Sequence, residues 1–421
     1  MEESDSSLSV SSDVGSLRKV IVHMPDEGIE WVTPTNKDYL LYDDIVFLPH
    51  MQHEHQVLQD VLSAFAGPSS VYDIRDLLEE TLRDSMVRSE LLQAVLALES
   101  LSEKAFQVLS DIDPGMLATA LLAGYIYEGE VIVKPLPNLI FTRDIGAMVN
   151  DHVLICHANK APRKRENLIT WFVLHYHPMF SELRANDRYI DISGDAQSLV
   201  DNLMDGSACI EGGDITMINK DHLLIACSER TSQAGLDRVM KIAFDKDVVK
   251  KFTIVDIPKE GYCMHIDTIF TKVDEEDFVY FDKLFTDTEQ VKVTQYYQDG
   301  SAARTFATLQ ELILSEYPNA RFIKCGKGQE RFDEREQWTM ACNTVAVKPG
   351  VIITYGRNTL TLEAFAEHGY NVIMAEDLLA AIEAGVGNIE DIEKTVIRIP
   401  ASELSRGGGG PHCLTFPIAR A

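Results

Sequence analysis

Apolar and polar residues change their spacing twice along the chain. Leu17-Arg18-Lys19-Val20-Ile21-Val22-His23-Met24 is a short β-type run closed by Pro25, which cannot donate to a strand ladder. From Ile74 to Tyr127 the apolar positions fall at helical spacing, Leu and Ala dominate, and β-branched residues are few. That texture predicts several short helices with a break at Asp113-Pro114-Gly115. Beyond it, β-type and helical runs alternate to the C-terminus. The block over residues 74–127 is therefore expected as a helical insertion in an α/β protein occupying residues 16–421.

The downstream part repeats one scheme: a small or polar residue, an apolar strand, a polar turn and a second apolar strand. It occurs in RDIGAMVNDHVLICH from Arg143, GDITMINKDHLLIACS from Gly213, IDTIFTKVDEEDFVYFD from Ile266 and NTVAVKPGVIITYG from Asn343. The turns Asn150-Asp151, Asn219-Lys220-Asp221, Asp274-Glu275-Glu276 and Pro349-Gly350 fall at matching places, so each unit opens with a hairpin. A fifth hairpin is expected between the run at residues 17–23 and the run at residues 45–48. Helical stretches such as residues 234–244 and 360–368 follow, giving a small sheet backed by a helix. Asp144, Asp214, Asp267 and Asn343 hold the same place in successive repeats, and repeats set around an axis would bring them together at one end.

Composition narrows the function. The 421 residues are 45% hydrophobic and 25% charged, enough to bury a full core. With 38 basic and 66 acidic residues the net charge is −28, a field that repels phosphate backbones and anionic lipid and draws in cations. No nucleic acid and no membrane are expected as partners. Seven cysteines lack any C-x-x-C pair, as in a reducing compartment. The N-terminus, MEESDSSLSVSSDVGS, is acidic and Ser-rich, without the basic start and apolar run of an export signal, and no run suits a membrane span. A cytoplasmic protein with a disordered tail over residues 1–15 is expected.

Three clusters carry chemistry. Glu211-Gly212-Gly213-Asp214 sets two carboxylates around a Gly-Gly pair, where backbone can approach a ligand closely. His265-Ile266-Asp267 places an imidazole and a carboxylate at i and i+2, on one face of an extended strand. Cys413 follows directly on Arg406-Gly407-Gly408-Gly409-Gly410-Pro411-His412; behind a glycine loop, with His265 as a companion, it is the candidate nucleophile. His50, His53 and His55 in HMQHEHQ do not match a familiar zinc set and read as helix-surface histidines, so no metal is assigned.

On Leu136-Pro137-Asn138-Leu139-Ile140-Phe141-Thr142-Arg143-Asp144, Glu211-Gly212-Gly213-Asp214, His265-Ile266-Asp267, the Glu336-Gln337-Trp338 to Asn343 stretch and the glycine run ending in His412-Cys413, the sequence resembles the bacterial arginine deiminases of the pentein superfamily. The resemblance spans about residues 17 to 418 and implies a five-bladed α/β propeller of ββαβ modules about a pseudo-fivefold axis. It implies Cys413 as nucleophile, His265 as general acid and base, Glu211 as its supporting carboxylate, and Asp144 and Asp267 as the pair gripping a guanidinium. Asn138, Arg163 and Arg230 are implied at the substrate's carboxylate end, with Asp214 and Gly410 also at the substrate. One position departs: many deiminases carry an arginine five residues before the cysteine, and here that residue is Gly408, with Arg406 nearby.

The chemistry implied is hydrolysis of L-arginine to L-citrulline and ammonia through a covalent Cys S-alkylthiouronium, with no cofactor, in a homo-oligomer. A guanidinium is poorly electrophilic, so attack on its carbon needs carboxylates to fix its plane and a polarisable sulfur beside it. Alternatives within that chemistry are an arginine dihydrolase giving ornithine, a dimethylarginine or agmatine hydrolase, and an amidinotransferase. An alternative of another class is a non-catalytic pentein binding protein, which has no need of the cysteine, histidine and aspartates together.

Overall fold

In the computed structural model, residues 8–42 and 44–421 are described. Four small sheets share one plan. Each begins with an antiparallel pair: Gly146–Val149 with His152–Ile155, Ile215–Asn219 with His222–Cys227, Phe270–Lys272 with Asp277–Tyr280, and Val345–Lys348 with Val351–Tyr355. The second strand of each then takes a parallel partner lying beyond a helix, respectively Tyr189–Ile190, Lys251–Asp256, Arg321–Lys324 and Thr395–Ile399. A parallel return needs such a crossover, and the helices Lys164–Tyr176, Gln233–Asp245, Leu309–Glu316 and Thr359–Glu367 supply it. Three of the middle strands are buried along their whole length, and His152–Ile155 is buried beyond His152, which explains their apolar runs.

The fifth sheet joins the two ends of the chain. Leu17–Val22 pairs antiparallel with Phe416–Arg420 and parallel with Val71–Asp73, the helix Leu48–Ala66 lying between. This corrects the expected pairing with residues 45–48. Leu48 and Pro49 open that helix instead, a position where proline's fixed φ and missing N–H cost nothing. The expected tail is corrected as well. Residues 1–7 lie outside the described residues, but Leu8, Val10 and Val14 are buried, and Val10 exchanges backbone hydrogen bonds of 2.8 and 2.9 Å with Asn150. Alternate apolar residues among the serines seat this segment in the core.

The helices Ile74–Leu82, Ser85–Glu99, Glu103–Ser110 and Pro114–Ala123 occupy most of the segment read as helical, but its end, Tyr125–Tyr127, is a strand paired with Glu130–Val133. Asp73, Asp84, Ser102 and Asp113 cap their N-termini by accepting from backbone N–H groups, which satisfies donors the helix itself leaves open. Leu78, Leu91, Leu117 and Leu121 pack with Leu168, Phe172 and Leu199 of the following unit in one core. Arg165, fully buried, ties the two together through Nη1 to both carboxylate oxygens of Glu99 at 2.6 Å. Among the described residues no helix is long and apolar enough to cross a membrane.

Below the first strand, His23 is buried with Nδ1 3.0 Å from Asp73 and Nε2 3.4 Å from Asp26. Burial opposes its charge, but Asp73 and Asp26 outweigh it and raise its pKa to about 10. A pKa raised on folding stabilises fully below the unfolded value, about 6.5 for histidine, and the gain is lost as pH climbs toward 10. Urea unfolding of the wild type should therefore exceed that of His23→Gln in midpoint at neutral pH, with the gap narrowing toward pH 10; a pH-independent gap would contradict the charged pair.

Candidate active site

The openings of successive sheet units bond to one another. Gly213 N donates to Asp144 Oδ1 at 3.2 Å, Ile266 N to Asp214 Oδ1 at 3.2 Å, and Asn343 Nδ2 to the Asp267 carbonyl at 3.5 Å. Cys413 N donates to Asn343 Oδ1 at 3.0 Å, and Arg143 N to the Cys413 carbonyl at 3.0 Å, which closes the set. Short 3-10 turns at Thr142–Ile145, Gly212–Asp214 and Ile266–Thr268 lead into the strands and present these side chains. A cavity of about 250 Å³ opens over them, walled by Asp144, Arg163, Arg230, His265, Cys413 and the loop Gly407 to Gly409, with Asn138, Phe141, Tyr42 and Lys37 also in its lining.

His265 Nε2 lies 3.1 Å from Glu211 Oε2 and its Nδ1 3.7 Å from Asp144 Oδ1. Burial works against charge on the ring, yet Asp144, Asp214 and Glu211 prevail and raise its pKa to about 10. An imidazolium at neutral pH is a proton donor in place. Burial likewise opposes ionisation of Glu211, but the His265 hydrogen bond and Arg163 hold it below the usual carboxylate range. Cys413 has the opposite lot: burial, then Asp267 and Asp144, push its thiol well up. Its Sγ stands 3.5 Å from Asp267 Oδ2 and 3.1 Å from Asn343 Nδ2.

Other expected site residues stand differently. Asp267 shares Oδ2 with His412 Nδ1 at 2.9 Å, while its Oδ1 is buried without a hydrogen-bond partner among the described residues. Arg163, expected at a carboxylate end, is bound to carboxylates of the protein: Nη1 to Asp144 at 2.6 Å, Nε and Nη2 to Glu166 at 3.0 and 2.8 Å. Glu166 sits three residues on, at the start of the same helix, where its side chain reaches back. Arg230 keeps a buried Nε without a partner among the described residues. Asn138 spends its amide on the Leu40 carbonyl at 2.6 Å.

One assignment is corrected. Asp214 is fully buried and accepts from Ser228 Oγ at 2.6 Å as well as from Ile266 N; it braces the His265 turn, and burial raises its pKa to about 7. Gly410 rests against Asn343, next to the cavity-lining Gly409. Arg406 does not replace the loop arginine, since it turns to Asp44 at 3.0 Å and Glu403 at 3.4 Å. Gly408 itself has φ 84°, a left-handed conformation that a larger residue enters only with strain.

Sequence reasoning missed the supports of the glycine loop. Fully buried Glu54 accepts from Ser402 N, Ser402 Oγ, Glu403 N and Leu404 N at 2.6 to 2.9 Å, and Tyr355 donates to the Gly409 carbonyl at 2.8 Å. Glu54 lies within the histidine-rich segment, and its burial could be read only once helix Leu48–Ala66 was placed. The same helix buries His55, correcting the surface reading, and burial lowers that pKa to about 4. His50, His53 and His55 do not converge. Ligand atoms of Asp144, Glu211 and His265 do lie within 4.8 Å of one another, but Arg163 already stands against both carboxylates.

A buried thiol, an imidazolium and carboxylates gathered around one small cavity are the arrangement of a candidate enzyme site. The family model for arginine deiminase matches residues 93–420. The chain belongs to the arginine deiminase family. It is 29% identical over 445 residues to the arginine deiminase of Treponema denticola, and 30% identical over 448 residues to that of Bacillus cereus, with 98% of this chain and 98% of the relative covered in each case. Its mixed α/β fold is similar to that of a dimethylarginine dimethylaminohydrolase solved as an adduct with 4-chloro-2-hydroxymethylpyridine, at TM-score 0.50 and 13% identity, covering 95% of this chain and 99% of the other.

Gly213 tests how tightly the acid is placed. A Cβ there would stand 2.4 Å from His265 Nδ1, so Gly213→Ala must displace the ring. Turnover should fall about 100-fold, the usual cost of misplacing a catalytic group by about 1 Å, with an unchanged circular dichroism spectrum. Near-native kcat would show that the ring tolerates the shift.

Proposed function

We propose that the protein hydrolyses L-arginine to L-citrulline and ammonia, with Cys413, His265, Glu211, Asp144 and Asp267 as its catalytic set and the five sheet units disposed as a propeller about a pseudo-fivefold axis. The helices of residues 74–127 are its insertion. The observation that carries the reading is the convergence of Cys413, His265 and Asp144 on one cavity with Arg230 in its wall. Asp144 and Asp267 orient the guanidinium beside the sulfur, and its positive charge offsets the carboxylates that keep the thiol protonated. With the cation bound, the Cys413 thiol gives up its proton to solvent, and the thiolate attacks the guanidinium carbon to form a neutral tetrahedral adduct. Imidazolium His265 gives its proton to the departing nitrogen, the C–N bond breaks, ammonia leaves, and the S-alkylthiouronium remains.

Neutral His265 then takes a proton from water, hydroxide adds to the same carbon, the thiolate is expelled, and the hydroxyl proton is lost to solvent, where the released ammonia takes it up, as the ureido carbonyl of citrulline forms. Arg230 meets the α-carboxylate at the far end of the cavity. Incubation with arginine should yield citrulline and ammonia in equal amounts; ornithine without citrulline, or no turnover, overturns the reading. Cys413→Ala should abolish turnover in a folded protein. Arg230→Ala should raise KM more than it lowers kcat, because it removes binding remote from the reacting carbon. Agmatine, which lacks the carboxylate, should be a poor substrate for wild type and variant alike, and equal kcat/KM for the two substrates in the wild type would count against this role of Arg230.

A further inference from the structure

We infer that Asn343 is a catalytic residue of this site, one carboxamide both holding Cys413 in place and donating a hydrogen bond to its sulfur so as to favour the thiolate. The inference rests on the cysteine chemistry proposed above and adds the group that offsets its electrostatic cost. Asn343 is fully buried where its chain enters Val345–Lys348. The amide can face the nucleophile in only one sense. The Cys413 N–H needs an acceptor and finds Oδ1 at 3.0 Å, which leaves the NH2 end to face Sγ at 3.1 Å.

The groups around the sulfur divide by what each does to its proton. Asp267 Oδ2, 3.5 Å from Sγ, accepts from the thiol and repels the thiolate. Asp144 adds to that repulsion. His412 is spent on Asp267 Oδ2, Tyr355 points its hydroxyl at the Gly409 carbonyl, and His265 is bonded to Glu211. Among the described residues, the Gly410 backbone also favours the thiolate, and Asn343 is the side chain whose N–H points at the sulfur. An N–H donor gains most when its acceptor is ionised, so the amide selects the reactive form. It is neutral, and it can do this without drawing the substrate's cation away from the carboxylates.

The loop is shaped to this amide. A Cβ on Gly410 would lie 2.6 Å from Asn343 Oδ1 and 2.8 Å from its carbonyl oxygen and its Cβ, so glycine lets the chain bearing Cys413 rest directly on it. The test reads the thiol without substrate: iodoacetamide labelling of Cys413 against pH, quantified by mass spectrometry, with Cys413→Ala as blank. Asn343→Asp keeps the shape and the acceptor for Cys413 N–H but replaces the donor with a carboxylate oxygen. Loss of a hydrogen bond to a charged group predicts labelling about 10- to 100-fold slower at fixed pH and a pH profile shifted up by one unit or more. The kcat for arginine should fall at least in proportion, with KM within about threefold since the residue does not face the carboxylate end.

A folded Asn343→Asp protein, matched to wild type in thermal midpoint, that labels with the wild-type profile overturns the inference. Should that variant not fold, Gly410→Ala, which presses on Oδ1, must show the same upward shift, and an unshifted profile there is equally fatal. Because labelling needs no turnover, failure of the wild type to convert arginine would sink the proposed function while leaving this outcome readable.

Discussion

Everything in the site hangs on five hydrogen bonds between the openings of successive sheet units, the last of which returns from Arg143 N to the carbonyl of Cys413. Each unit is a small sheet with a helix across it and buries little surface alone. Bonded opening to opening, the units place Asp144, Asp214, Asp267, Asn343 and Cys413 at one end of their strands. These contacts are also why the functional residues are buried. Several of the groups that join the units, Asp144 and Cys413 among them, also line the cavity, so the low dielectric that makes an unpaired polar atom costly there also strengthens each charge interaction.

That arrangement poses an electrostatic problem. Asp144, Glu166, Glu211 and Asp267 are all at least nine-tenths buried within one region, and buried like charges cannot all ionise unless cations stand among them. Arg163 and protonated His265 are those cations. Asp144 holds the Arg163 guanidinium at 2.6 Å, so the carboxylate cluster already accommodates one guanidinium of the protein itself. Glu166 keeps a pKa raised to about 7, burial outweighing its two bonds to Arg163.

How much of this the sequence disclosed follows from the range of each interaction. The hairpins were legible because alternation and turn residues are local, and so were Asp144 and Asp267, which open successive repeats, His265 two positions before Asp267, and Cys413 directly behind a glycine run. Two kinds of feature were not. Asp214 carries the same motif position as Asp144, but its side chain turns to Ser228 and Ile266 rather than the cavity, and one χ rotation leaves no trace in spacing. Glu54 supports Ser402, Glu403 and Leu404 across nearly 350 positions, beyond any periodicity. The strand Leu17–Val22 was found, yet its partner was mistaken because the true one, Phe416–Arg420, lies at the other end of the chain.

The same long range orders how the protein assembles. The helices of residues 74–123 cap themselves and pack against their sequence neighbours, contacts that cost little loop closure. The nucleophile is the reverse case. Cys413 meets Asn343 across 70 positions, Asp267 across 146, and its strand is completed only by residues near the N-terminus. Loop-closure entropy must be met before any of those contacts forms, so the ring closes after its units exist. Chemistry is confined to the one place in the molecule that no separate unit can build, and a chain with any sheet misplaced has the cysteine but not its surroundings.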